Sequence, residues 1–307
     1  MTPTNNSIIG KSAIQTTSLA SGLLQPYQAK KFIQQTFEAT ALRQQIRHET
    51  RTEKTGEIDK IGIASRIVRK KTENKDDGYR AGVTTGQISY ATTAIRLPWE
   101  ITEETLRENI EGQNFESIVT NLMTTQLGVD MEDLDLNGDT EVAETDPDHD
   151  FLFINDGWIK QIANGGHIYD ASSDNGMTLD LFYKCLQTLP NKYNNGRLRW
   201  LMSPHRAQNW ELYLLNQVIE KGGAVPDNMY TAPVRIPVIE VPKLDDDKII
   251  LVDPKNLIEV VTYSVKIRKT TEGKEAIMQD KRFYTVHLDY DPVIEELDAV
   301  GMITNLA

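Results

Sequence analysis

Residues 102–138 read TEETLRENIEGQNFESIVTNLMTTQLGVDMEDLDLNG, and the rest of the chain is organised around them. Asn114 stands where a helix cap belongs, its side-chain oxygen placed to accept an orphan backbone N–H of the first turn. Apolar residues then recur at Phe115, Ile118, Val119, Leu122 and Met123, and continue with a slight drift at Leu127, Met131 and Leu134. That spacing predicts one buried face on a helix over 115–135. At 1.5 Å per residue such a helix runs roughly 30 Å. Gly128 inside it costs about 1 kcal/mol relative to Ala, and Gly138 is a natural stop. A shorter helix over 103–109 precedes it, with Thr102 as cap and Glu103 and Glu104 in the first turn, where acids suit the helix dipole. Nearly all strand-like sequence lies outside this unit, so it reads as a spine for other parts to pack on.

Upstream, residues 1–22 are rich in Thr, Ser and Asn and read as an arm. Pro26 suits the first turn of a helix whose stripe is Ala29, Phe32, Ile33 and Phe37. Residues 46–63 look extended, with a turn signal at Lys54-Thr55-Gly56. Residues 64–90 are long, charged and punctuated by Gly78 and Gly86 between β-prone flanks, which fits a two-stranded excursion. A lone hairpin is marginal in water, so it is expected to lie on something else. Downstream comes an acidic loop over 137–150. Helices follow at 157–163 and 179–186, the latter capped by Thr178. Next is a buried-type strand at 198–202, and then a helix from Ser203-Pro204 to about Val218. Strands at 234–241 and 248–252 and a final ribbon of 257–269 with 281–288 complete the chain. Helices and strands alternate over 151–252, which is α/β, while the flanks of the spine and the ribbon form a β-rich layer.

The 307 residues suggest about two domains or one elaborate one, and 39 % hydrophobic with 25 % charged residues is enough for a core. No run of 18 apolar residues exists to span a bilayer, and no secretory leader is visible. A single cysteine, Cys185, excludes a disulfide framework within the chain and reads as a buried thiol. The net charge of −12 argues against attraction of duplex DNA by the surface as a whole. Charge is unevenly placed. Residues 130–150 hold ten acids and no Lys or Arg, whereas 60–80 hold seven bases and three acids. Such a molecule can attract copies of itself; two solvated surfaces are the plainer reading.

The sharpest local pattern is Asp133-x-Asp135-x-Asn137-Gly138-x5-Glu144, which matches the short calcium-loop signature at every position. The exiting helix is missing, since Thr145-Asp146-Pro147 starts one poorly, and Thr140 sits where an apolar residue is usual. An acidic loop closing a helix explains the same residues. Ser203 and His205 could suggest a hydrolase, but Ser203 is better explained as a cap and no Gly-x-Ser-x-Gly elbow exists. His48, His149, His167, His205 and His287 show no metal-ligand spacing, and no phosphate-binding glycine loop is present.

The order of the parts is more telling than any motif. The arm and helix around 22–38, the excursion 64–90, the run from Ala94 to the spine helix and Asn137-Gly138, the strand-then-helix of 198–204, the strands of 233–242 and 248–257, and the last ribbon together resemble the major capsid proteins of tailed phages, with their Hong-Kong-97-like fold. The resemblance implies an α+β chain: an N-terminal arm and helix (1–42), a peripheral domain (43–136) with an extended loop at about 60–91 and the spine helix at about 102–136, an axial domain (137–258), a peripheral ribbon (259–292) and a C-terminal segment (293–307). It implies a structural protein of the virion, not an enzyme, needing no cofactor. Such a protein self-assembles as hexamers and pentamers in the host cytoplasm and encloses DNA without reading its sequence. Its implied partners are copies of itself, a separate scaffolding protein, a portal and a decoration protein, with no membrane. In this family the extended loop lies across a neighbour, which makes Arg66, Arg69, Lys70 and Lys71 the expected assembly contacts. Part of the family joins a loop lysine to a peripheral asparagine. Lys70, Lys71 or Lys75 could donate here, but no asparagine lies between Asn256 and Asn305, so a shell without that cross-link is expected. Two alternatives stand beside this reading: a calcium-binding module on Asp133, Asp135, Asn137 and Glu144, and an encapsulin-like compartment shell.

Overall fold

The computed structural model describes residues 34–37, 39–62, 66–70, 78–108, 115–174, 176–220, 232–262 and 266–306. The arm and most of the first helix lie outside these residues. Two five-stranded sheets, a separate hairpin and one long helix set the architecture.

The first sheet is built on its longest strand, β11 (Lys281–Ile294). Residues 281–290 of this strand run antiparallel to β4 (Thr93–Thr102), and 283–287 also pair with β10 (Lys266–Thr270) on the opposite edge. The last five residues of β11 pair with β9 (Leu257–Thr262), which carries β1 (Arg47–Arg51) in parallel. Alternation selects the face: Tyr284, Val286 and Leu288 are buried, and so are Trp99 and Ile101 opposite them. Trp99 and Tyr284 are direct register partners and their rings stack at 5.1 Å, the kind of cross-strand pair that stabilises a sheet.

Onto this face lies the spine helix, Phe115–Asn137. Leu127, Met131 and Leu134 follow the i, i+4, i+7 rule and join Trp99, Tyr284 and Val286 in one cluster. The expected stripe needs correction in the first half of the helix. Phe115, Val119 and Met123 pack on the cluster, but Ile118 and Leu122 face outward, Leu122 being 64 % exposed. The short preceding helix covers Glu103–Glu108, and Thr102 Oγ1 accepts the Thr105 N–H at 3.2 Å as its cap.

The second sheet has the order β5-β12-β8-β6-β7. Its strands are β5 (His167–Asp170), β6 (Arg199–Met202), β7 (Val238–Glu240), β8 (Ile249–Val252) and β12 (Gly301–Thr304). All four residues of β8 are buried, as a central strand covered on both faces requires. One face meets the helices Leu179–Thr188 and Pro204–Glu220, where Phe182 sits edge-on to both Trp200 and Trp210. The other face meets Trp158 and Ile162 of the helix Trp158–Gly165, together with Leu136 from the end of the spine and Leu42 and Ile46 from the N-terminal segment. That second core ties the two sheets together. Each fully buried aliphatic or aromatic side chain contributes roughly 1.5–3 kcal/mol.

Several expectations shift. Residues 149–152 form a helical turn, His149–Leu152, which begins inside the stretch read as an acidic loop. The expected strand over 234–241 shrinks to Val238–Glu240, because Pro233 and Pro237 have no N–H for a ladder and Val234 and Arg235 have positive φ. The ribbon turn contains the helix Lys274–Gln279. Residues 301–304, read only as part of a C-terminal segment, form a central strand of the second sheet.

Candidate functional site

The excursion belongs to a hairpin whose outgoing strand lies upstream of 64–90, and residues 66–70, expected as a strand flank, are irregular. Strands β2 (Thr55–Gly62) and β3 (Thr84–Ala91) pair antiparallel from Thr55↔Ala91 to Gly62↔Thr84. Its root is docked: Ile58 and Tyr90 are buried and pack with Ile258, Val260 and Val293 on the first sheet. Gly56 lets the Tyr90 ring lie against the backbone, since a Cβ there would meet the Tyr90 hydroxyl at 2.6 Å. Polar pins secure the same root. Lys60 Nζ reaches Glu296 Oε2 at 3.1 Å, Lys54 Nζ reaches Asp289 Oδ2 at 3.2 Å, and the Ala91 N–H donates to Asp291 Oδ2 at 2.9 Å. Burial pushes the Asp291 carboxyl up to about 6, against the stabilising Ala91 N–H.

The distal half of the hairpin is the reverse. Ile61 is 73 % exposed and Val68 89 %, and Val83 and Ile67 are exposed as well. Arg66, Arg69 and Lys70 stand in the same stretch, all exposed, while Lys71 lies outside the described residues. The Arg69 guanidinium lies 3.7 Å over the Tyr79 ring, a cation–π contact. Among the described residues of this stretch, the exposed aliphatic side chains alternate with cations and lie outside the chain's core clusters.

The acidic loop supplies the opposite sign. Lys160 binds Asp139, Glu141 (3.1 Å) and Asp156 (3.4 Å), while Glu144, Asp148 and Asp150 are exposed. The calcium pattern is not gathered here. Asp133, Asp135 and Asn137 occupy the last turns of the spine helix, where residues two apart point about 200° apart. Asp133 pairs with Lys243 at 2.9 Å and accepts from Asn137 Nδ2 at 2.9 Å. Asp135 turns inward to Arg43, and Glu144 lies on the exposed loop. Gly138 serves packing: a Cβ would meet Leu134 O at 2.8 Å and Gly157 N at 3.1 Å. Ser203 caps its helix by accepting the Arg206 N–H at 3.2 Å, and its hydroxyl donates to Asp246. His205 Nδ1 lies 3.2 Å from that same carboxylate, so His205 does not stand between serine and acid as a general base must.

Sequence reasoning missed the cluster behind the hairpin. Arg43 is fully buried. Its Nη2 donates to both oxygens of Glu259 (2.8 and 2.7 Å), its Nη1 to Asp135 (3.0 Å) and its Nε to the Thr36 carbonyl (3.3 Å). Buried Glu132 accepts from Thr40, and His48 lies stacked on Phe37 with its Nδ1 2.9 Å from Glu259. Gly128 makes the close approach possible, since a Cβ there would overlap Ala39 and come within 2.7 Å of Thr36 O. Arg43 is separated from its acids by 92 and 216 residues, so no local spacing signals the group.

The chain matches no protein-family model. It is 25 % identical to YqbE of Bacillus subtilis (strain 168), named as a prophage capsid protein, over 98 % of this chain and 99 % of that one. A chain of the satellite phage P4 procapsid, a structure that includes the size determination (Sid) protein, superimposes with a TM-score of 0.67 at 14 % identity, covering 98 % of this chain and 96 % of that one. A chain of the holo-SrpI encapsulin complex from Synechococcus elongatus PCC 7942 gives a TM-score of 0.51 at 10 % identity, over 100 % and 96 %. A spine helix crossed by one sheet, a second sheet at its end and a projecting hairpin, matched along almost the whole length of a phage procapsid chain, show that this chain has the Hong-Kong-97-like fold of tailed-phage major capsid proteins.

Proposed function

We propose that this chain is a major capsid protein, a structural component of the virion whose copies assemble into the icosahedral shell of a tailed phage. The observation that carries this is the full-length agreement with a capsid relative in sequence and with a procapsid chain in fold. The first sheet with the spine helix is the peripheral domain, the second sheet is the axial domain and the hairpin is the extended loop. Copies meet as hexamers and pentamers. The hairpin's exposed aliphatics, with Arg66, Arg69, Lys70 and Lys71, lie across a neighbouring subunit, and acidic surfaces such as Glu144, Asp148 and Asp150 suit those cations. Assembly takes place in the host cytoplasm with a separate scaffolding protein, a portal and a decoration protein. The chain is not an enzyme, needs no metal and encloses DNA without sequence-specific contacts, in keeping with its net charge of −12.

The shell is held without a lysine–asparagine cross-link. Asn256 exchanges two 2.9 Å hydrogen bonds with the backbone of Glu296 and is buried, which leaves it unavailable as an acceptor. Expressing the full chain and measuring particle mass tests the main reading: megadalton shells support it, and particles that stay near 34.7 kDa refute it. A denaturing gel of those shells tests the second point, one band at subunit mass against a ladder of multiples.

A further inference from the structure

The buried cluster joins pieces of chain that lie far apart in sequence. The N-terminal segment supplies Thr40 and Arg43, β1 supplies His48, the spine helix supplies Glu132 and Asp135, and β9 supplies Glu259. Tyr290 and Asp291 of β11 also lie within electrostatic reach of Asp135, and Asp133 and Lys243 within reach of Glu132. At its centre one guanidinium meets two buried carboxyls, Asp135 and Glu259, with a third, Glu132, within electrostatic reach. A buried negative surplus is costly unless it is neutralised, and Asp135 is placed to hold a proton that reduces it. His48 Nε2 lies 2.8 Å from the Arg43 carbonyl oxygen and Nδ1 2.9 Å from Glu259 Oε2. Asp135 uses Oδ2 for Arg43, and its buried Oδ1 has no hydrogen-bond partner among the described residues. Burial, and then Glu259, push the Asp135 carboxyl well above the usual range despite Arg43. Burial also raises Glu132, opposed by Thr40 and Arg43. Burial acts on Glu259 too, but Arg43 and His48 outweigh it and hold that carboxyl low.

We propose that this cluster is a proton-operated latch, which holds the segment that follows the N-terminal arm against the spine helix while it keeps its protons and loosens that segment when it loses them. The sign follows from linkage. Asp135 binds its proton more tightly in the closed latch than in an opened chain. Closure is therefore favoured at low pH and weakens as pH rises from the ordinary carboxylate range through the raised value. The apolar anchors Leu42 and Ile46 are buried in the core shared with the second sheet and oppose full release, so what loosens is the backbone turn over 40–46 and not the subunit. The latch makes the hold on the arm a function of pH without altering either sheet.

Hydrogen exchange on the full chain tests this, with labelling times scaled to the intrinsic rate at each pH. The reporters are the Gln44, Gln45 and Ile46 amides, which bond back to Thr40 and Leu42, and the β8 amides serve as reference. Between pH 5 and pH 9 the opening constant of the reporters should rise by up to about tenfold per pH unit over part of the range, while β8 stays flat. Asp135→Asn, a permanent mimic of the protonated acid, should flatten that slope and keep the segment closed at high pH. Glu132→Gln should flatten it partly, and it decides the matter if the Asp135 variant fails to fold. A wild-type opening constant that does not change with pH overturns the latch, as does a slope left intact by the variants that fold.

Discussion

The second sheet and the hairpin draw on the same aliphatic residues for opposite ends. In β8, Ile249, Ile250, Leu251 and Val252 are all sealed from water, while in the hairpin Ile61 and Val68 are 73 % and 89 % exposed. The sheet is covered on both faces by helices of its own chain. The hairpin borrows a surface for its root, while the aliphatic side chains described in its distal half are exposed, and a two-stranded ribbon cannot generate its own core. If the hairpin makes the assembly contacts proposed above, the stability of the subunit and its capacity to associate are held in different regions, and substitutions should separate them.

The largest stability loss is expected inside the sheet. Trp200→Ala removes a fully buried ring that packs on Phe182 and donates its indole N–H to the Pro233 carbonyl at 3.1 Å. A cost of about 3–5 kcal/mol in urea denaturation is expected; a cost under about 1 kcal/mol would mean that the sheet is not the stable half. Gly128→Ala comes next. The gain in helix propensity of about 1 kcal/mol is outweighed by overlap with Ala39 and Thr36, for a net loss of about 1–2 kcal/mol that should leave β8 protection unchanged. In the hairpin, replacing Arg69, Lys70 and Lys71 together by Glu should change subunit stability by less than about 1 kcal/mol, since exposed pairs are worth little. Shell yield should nevertheless collapse, and salt should modulate the defect. Normal shells from that variant would remove charge from the account of assembly. The smallest effect is at the hairpin root. Asp291 has its carboxyl raised to about 6, so what it contributes is present at low pH and fades as pH rises through that value. Melting the wild type at pH 5 and pH 7 and repeating with Asp291→Asn should show a narrower gap in the variant, by well under about 1 kcal/mol at this partly exposed site. An unchanged gap would place the titrating group elsewhere.

What could be read in advance follows from the range of the interactions. The spine helix was legible because its apolar spacing is local, and so was the hairpin's returning strand; its outgoing strand was not, since it lies at Thr55–Gly62, upstream of the excursion, while the β-prone residues 66–70 form no strand and Gly86 sits inside a strand. The outward turn of Ile118 and Leu122 was not, since five apolar residues in nine positions leave the facing of each undetermined until the sheet is in place. Residues 301–304, GMIT, are too short to show a period and become a strand only because His167–Asp170 and Ile249–Val252 lie on either side of them. The Arg43 cluster could not be read at all. A buried arginine looks like a surface one until its distant acids are brought to it, and Asp135 looked like a metal ligand until helical rotation turned it away from Asp133.

The position of β12 also sets a timetable for making the subunit. Strands β5 and β8 do not pair with each other, and each instead pairs with residues 301–304. While the chain is being synthesised, β6, β7 and β8 can join soon after they emerge, but β5 has no neighbour until the ribosome has passed residue 304. Pairings so far apart in sequence form slowly, and the open edge of β8 waits for its partner in the meantime, the kind of exposed strand edge through which nascent chains aggregate. Association of a subunit with its copies is therefore timed against the arrival of its last strand, and crowded synthesis calls for protection of that one edge.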